Sequence, residues 1–180
     1  TFLGPVAKSL GLPEPSPTVV ACCTHDTASA VVAVPAEDKE DWAYLSSGTW
    51  SLIGVELPAP LLTEEARRAN FTNELGFGGT VRFLKNVIGL WLLQECRRQW
   101  SKDGIDLDYT ELTNLAQKAK PLRSFIQPDD LRFLPPGDMP ARVQAFCRET
   151  GQAIPESPGE IARCIFESLA ILYAIRLEEL

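Results

Sequence analysis

His25 and Asp26 stand side by side in the run Thr24-His25-Asp26-Thr27-Ala28-Ser29-Ala30, and His25 is the chain's only histidine. A carboxylate at such a position can take a proton from a substrate hydroxyl; it can equally cap the helix that follows. The local pattern leaves both roles open. A second stretch with chemical capacity is Ser46-Ser47-Gly48-Thr49, flanked by Trp42-Ala43-Tyr44-Leu45 and Trp50-Ser51-Leu52-Ile53-Gly54-Val55. A turn of that composition brings hydroxyls and backbone N–H groups up to an anion, because Gly48 permits close approach.

The elements that must position these groups follow from periodicity. Residues 18–24 are β-branched and apolar before Thr24 and predict a buried strand. Residues 27–34 predict a short helix, with Thr27 as its cap and Pro35 beyond its end. His25 and Asp26 then lie at the carboxyl end of a strand, where open α/β sheets place their ligands. On an extended strand their side chains leave on opposite faces. That geometry, with one histidine in all, disfavours a hydrolase triad. Residues 42–57 predict a hairpin. Residues 71–86 predict a second one around Gly76, Gly78 and Gly79, which is no dinucleotide fingerprint because no helix opens on it.

Further along, helices are expected at 88–101, 109–119 (Asp108 as cap), 139–150 and 158–180, with an irregular crossing at 121–140 that holds five prolines. Ser157, Pro158 and Glu160 form the start of the last helix. Its stripe Ile161, Ile165, Leu169, Leu172 and Leu177 is expected to face the core. Residues 1–17, with four prolines, read as an extended connector to a core at 18–180.

These motifs together resemble the second domain of the FGGY carbohydrate kinases, most closely the branch acting on L-rhamnulose. The strand-end His25-Asp26 and the Ser-Ser-Gly-Thr-Trp-Ser hairpin carry the likeness. Thr72-Asn73-Glu74, Leu84-Lys85-Asn86, Gly89-Leu90-Trp91-Leu92-Leu93-Gln94 and Pro158-Gly159-Glu160-Ile161-Ala162-Arg163 extend it over nearly the whole chain. The resemblance implies an α/β domain of the actin-like, ribonuclease H-like ATPase class, with a mixed sheet flanked by helices. It implies ATP and Mg²⁺ as cofactors and phosphorylation of L-rhamnulose at its 1-hydroxyl. Asp26 would be the general base and His25 a sugar contact. Thr49, with the turn amides, would hold the terminal phosphates, and Asn86 and Gln94 would approach the nucleotide. No protein-borne metal site is implied. Another ketose or polyol as acceptor, or a non-catalytic actin-like binding module, are the rival readings.

Asn86 at a strand-to-helix junction also suits a cap, and Gln94 on a helix face also suits solvation. No Gly-x-x-x-x-Gly-Lys-Ser/Thr run occurs, which excludes a P-loop kinase. Five cysteines carry no metal-ligand spacing. Cys147 and Cys164 fall on consecutive helices joined by a short loop, which can bring them close; the resemblance implies a disulfide between them, and a reducing cytosol implies two thiols.

The composition bounds the rest. The 180 residues are 45% hydrophobic, with net charge −7 and pI near 4.8, which argues against nucleic acid as a partner. No apolar run reaches the roughly 18 residues of a membrane span, and no signal-peptide layout occurs; the cytosol is the expected compartment. The start at Thr1 and the end at Leu180, inside an amphipathic pattern, suggest a piece of a longer protein whose first domain is absent.

Overall fold

The computed structural model describes residues 2–6, 10–12, 15–20, 25–36 and 42–180. Its centre is a four-stranded sheet in the order β3-β4-β6-β5, antiparallel at every pairing among the described residues rather than mixed as expected, because β3–β4 and β5–β6 are hairpins and β4 and β6 run opposite to each other. β3 (Tyr44–Ser47) and β4 (Trp50–Leu57) form the first hairpin, and β5 (Thr72–Leu75) and β6 (Val81–Ile88) the second. A short helix α2 (Glu64–Arg68) links them, capped by Thr63 Oγ1, which accepts from Ala66 N at 3.1 Å. Between β5 and β6 the chain makes a 3₁₀ turn at Phe77–Gly79, where Gly78 and Gly79 have φ of 68° and 92°. That left-handed backbone is why glycines stand there.

Period-2 alternation gives the sheet two different faces. On one, Tyr44, Leu52 and Leu84 are buried with Val31 of α1 (Asp26–Val32). On the other, Ile53 and Val87 pack on Leu172 of α6 (Pro158–Glu178). Arg82 of β6 is only 1% exposed and donates to Glu74 Oε2 at 2.5 Å.

The remaining helices form a layer with their own core. α3 (Trp91–Lys102), α4 (Tyr109–Lys118), α5 (Met139–Glu149) and α6 bury Leu92, Leu93, Leu112, Met139, Val143 and Ile165 together. Asp108 and Glu111 make a capping box for α4, as Ser157 and Glu160 do for α6. Glu95, also 1% exposed, is paired with Arg98 and accepts from Gly137 N at 3.1 Å, which ties α3 to the irregular crossing. Among the described residues no helix is long and apolar enough to cross a membrane.

Several expectations shift. Residues 2–5, within the expected connector, form strand β1 (Phe2–Pro5), which pairs with β2 (Thr18–Val20) as a separate ribbon. Residues 18–20 are exposed and do not join the four-stranded sheet, because β1 supplies their backbone partners. Residues 21–24 of the expected strand, Cys22 and Cys23 among them, lie outside the described residues. The helix expected at 27–34 begins at Asp26, and His25 rather than Thr27 is its cap. The helix expected from 88 begins at Trp91, since residues 81–88 stay paired with β4. Leu177 is 44% exposed, because the stripe rotates away from the core after Leu172.

Candidate active site

The tip of the first hairpin is held from below by the β6–α3 junction. Gly48 N donates to Trp50 O at 3.0 Å, closing the turn. Gly89 N and Trp91 N donate to Thr49 O at 3.2 and 3.1 Å, and Leu90 N donates to Gly48 O at 2.8 Å. Three consecutive amides thus use the tip's carbonyls and fix its height above α3. Only glycine fits at 89: a Cβ there would lie 2.4 Å from Gly48 O and 2.6 Å from Ser51 Oγ. Ser51 is fully buried, and its hydroxyl lies 2.7 Å from Tyr173 Oη, which fastens the same strand to α6.

Above this clamp, Thr49 is exposed and its hydroxyl meets the Gln94 amide. Gln94 Nε2 donates to Thr49 Oγ1 at 3.0 Å, and Thr49 Oγ1 lies 3.2 Å from Gln94 Oε1. The fold therefore brings together two residues forty-five positions apart that the sequence singled out separately. Asn86 is not at a helix junction. It lies within β6 opposite Leu52, exposed and with no side-chain hydrogen bond among the described residues, so capping does not explain it. Thr49 at the tip and Gln94 on α3 thus meet, while Asn86 stands on β6 with its amide uncommitted among the described residues. Such a set of neutral donors suits phosphate oxygens.

His25 and Asp26 do not diverge to opposite faces as an extended strand requires. The chain turns into α1 at Asp26, and His25 Nδ1 lies 3.3 Å from Asp26 Oδ1. Both accept from Thr27 N, Asp26 Oδ1 at 2.6 Å and His25 Nδ1 at 3.3 Å. The Asp26 side chain is 96% exposed and so open to a substrate. Among the described residues no hydrogen bond or ion pair joins this pair to Thr49, Asn86 or Gln94.

Sequence reasoning quoted Gly89 within a motif but missed its close approach to the tip, and it missed the Ser51–Tyr173 bond. A lone glycine between a strand and a helix is a signal of close backbone approach; a contact between residues 122 positions apart has none. Cys147 and Cys164 do meet. They are free and buried, each near enough to perturb the other, and burial pushes the Cys164 thiol up to about 12.

The C-terminal domain of the FGGY family of carbohydrate kinases matches residues 43–180. The chain belongs to this family. Its FGGY domain accordingly has the actin-like, ribonuclease H-like ATPase fold expected from the motifs. A protein of Bacteroides thetaiotaomicron named rhamnulokinase is 53% identical over 162 residues, which is 90% of this chain and 32% of that protein. Rhamnulokinases of Enterococcus faecalis and Bacillus subtilis are each 48% identical over 166 residues, 92% of this chain and 33% of theirs. The FGGY chain thus spans about a third of the length of the curated relatives it matches.

Proposed function

We propose that this chain is the phosphate-binding side of an ATP-dependent kinase that phosphorylates L-rhamnulose at its 1-hydroxyl in the cytoplasm, where ATP is at hand. The similarity to rhamnulokinases over nine-tenths of the chain carries the reading. The clamped hairpin tip supports it from geometry, because phosphoryl transfer asks for little beyond rigid positioning and charge stabilisation. The Thr49 hydroxyl and tip amides hold the terminal phosphates; Gln94 orients Thr49; Asn86 reaches the nucleotide. Asp26 accepts the proton of the sugar hydroxyl as its oxygen bonds to the γ-phosphorus and ADP leaves. His25 donates from Nε2 to a sugar oxygen. The facing domain and most of the sugar pocket belong to the remaining two-thirds of the protein.

Mg²⁺, when bound with the nucleotide, neutralises charge on the phosphates. No group of three or more carboxylate, histidine or cysteine side chains among the described residues could hold a metal.

The test is Asp26→Asn in the full-length protein. Asparagine keeps the size and still accepts from Thr27 N, so melting should hardly move. Turnover with L-rhamnulose should fall by roughly 10²–10⁴-fold, the usual contribution of a positioned base. A folded variant with turnover within a few-fold of the parent overturns Asp26 as the base.

A further inference from the structure

Far along the chain from the hairpin tip, a cleft of about 290 Å³ opens between the loop after α4 and the first turns of α6. Lys120, Arg123 and Ser124 line one side, and Arg163 and Cys164 the other. The loop is fixed by side chains from outside it. Glu167 Oε2 accepts from Leu122 N at 2.9 Å, and Ser168 Oγ accepts from Ile126 N at 2.9 Å. The Gln152 amide accepts from Phe125 N at 2.7 Å and donates to Phe125 O at 2.9 Å. Leu122 is held at φ +54° although its side chain is 69% exposed, so its own burial does not explain the conformation. A branched residue in the left-handed region is strained and persists where surrounding structure over-determines it. Here the result is that Lys120 and Arg123 flank the cleft.

The charges in the cleft are unevenly spent. Glu160 Oε2 accepts from Glu156 N, Ser157 N and Ser157 Oγ at 3.0, 3.0 and 3.1 Å, at the start of α6. Glu167 Oε1 accepts from Arg163 Nε at 2.6 Å, and Arg163 Nη1 donates to Ala116 O at 3.2 Å. Lys120 and Arg123 make no hydrogen bond or salt bridge among the described residues, although the Arg123 guanidinium acts on the Glu160 carboxylate across the cleft. Three cations and two engaged carboxylates leave the cleft net positive in a chain of net charge −7.

We infer that this cleft binds a small phosphate dianion, either free phosphate or the phosphate group of a monoester, with Lys120 and Arg123 as its charge partners. Guanidinium presents two parallel donors to such an anion and ammonium a compact charge. The site is separate from the nucleotide-binding reading and stands without it.

The experiment is calorimetric titration of the full-length protein with inorganic phosphate and, separately, a ketose 1-phosphate. A non-hydrolysable ATP analogue is kept saturating so that the hairpin tip is filled. One site per chain is expected, weakened about tenfold or more in Lys120→Gln/Arg123→Gln. Equal binding of both probes assigns free phosphate as the ligand; tighter binding of the monoester assigns the larger molecule. The double variant should melt with the parent, because both side chains are exposed. Should it not fold, each single variant is expected to weaken binding about threefold. No saturable binding of either probe through about 20 mM, or unchanged affinity in the folded variants, overturns the proposal.

Discussion

Gly89→Ala is the sharpest perturbation of the hairpin tip. Gly89 has no left-handed backbone, so alanine meets no conformational penalty there; its cost is purely one of space. The new methyl would stand 2.4 Å from Gly48 O, 2.6 Å from Ser51 Oγ and 3.0 Å from Thr49 O. An ordinary carbon–oxygen contact is about 3.3 Å, so the Gly48 carbonyl must retreat by about 0.9 Å. It cannot do so freely, because Leu90 N holds it and Gly89 N and Trp91 N hold its neighbour. Overpacking of this kind costs about 1–3 kcal/mol, and the three hydrogen bonds at risk are worth about 1 kcal/mol each. A loss of about 3 kcal/mol corresponds to a melting point lower by about 6–12 °C for a domain of this size. A tip displaced by about 1 Å also misplaces Thr49, for which a loss on the order of 10²-fold in turnover is reasonable. Thermal melting and kinetics with ATP varied at saturating sugar read both effects in the full-length protein. Gly48→Ala is the companion: its methyl would meet only Trp50 O, at 3.4 Å, and should be mild. A Gly89→Ala protein that melts within about 1 °C of the parent, with unchanged KM for ATP, would refute the clamp.

Thr49→Val and Gln94→Leu should each raise KM for ATP, and the double variant should be less than additive, since the two side chains share one interaction; full additivity in the cycle would separate them. From neutral pH, stability should be level up to pH 9 and fall between pH 9 and 12. Burial raises the Cys164 thiol from 9.0 to about 12 and the Tyr44 hydroxyl from 10.0 to about 12, so the unfolded chain releases these protons first and gains from rising pH. Denaturant titrations across that range check the slope, which Cys164→Ala should reduce. Cys147 and Cys164 are free, buried neighbours, so mild oxidation should remove two titratable thiols per chain and yield a peptide linking the two positions by mass spectrometry. Two thiols persisting through oxidation would remove the bridge.

What could be read from the sequence was what is decided locally. The first hairpin announces itself by alternation on either side of Gly48-Thr49, and α4 and α6 by Asp108/Glu111 and Ser157/Glu160, whose capping boxes form as written. Boundaries slid where the same residues suit two elements: Val87 and Ile88 fit a strand or a helix start, and pairing with Ser51 and Trp50 makes them strand. That shift puts Asn86 inside β6. The β1–β2 ribbon hid behind prolines, and the His25–Asp26 contact depended on where α1 begins. Thr49 and Gln94 were each visible as candidates, but their meeting rests on the Gly89 close approach, a relation between distant backbones with no local signature.

The Ser51–Tyr173 bond has a mechanical consequence. With the tip's carbonyls tied to the head of α3 and its strand tied to α6, the hairpin has no hinge of its own. Catalytic lids usually work by loops swinging on a few compliant residues. This one is an anvil. A hairpin held in this way would move with α3 and α6 as one body rather than swing alone.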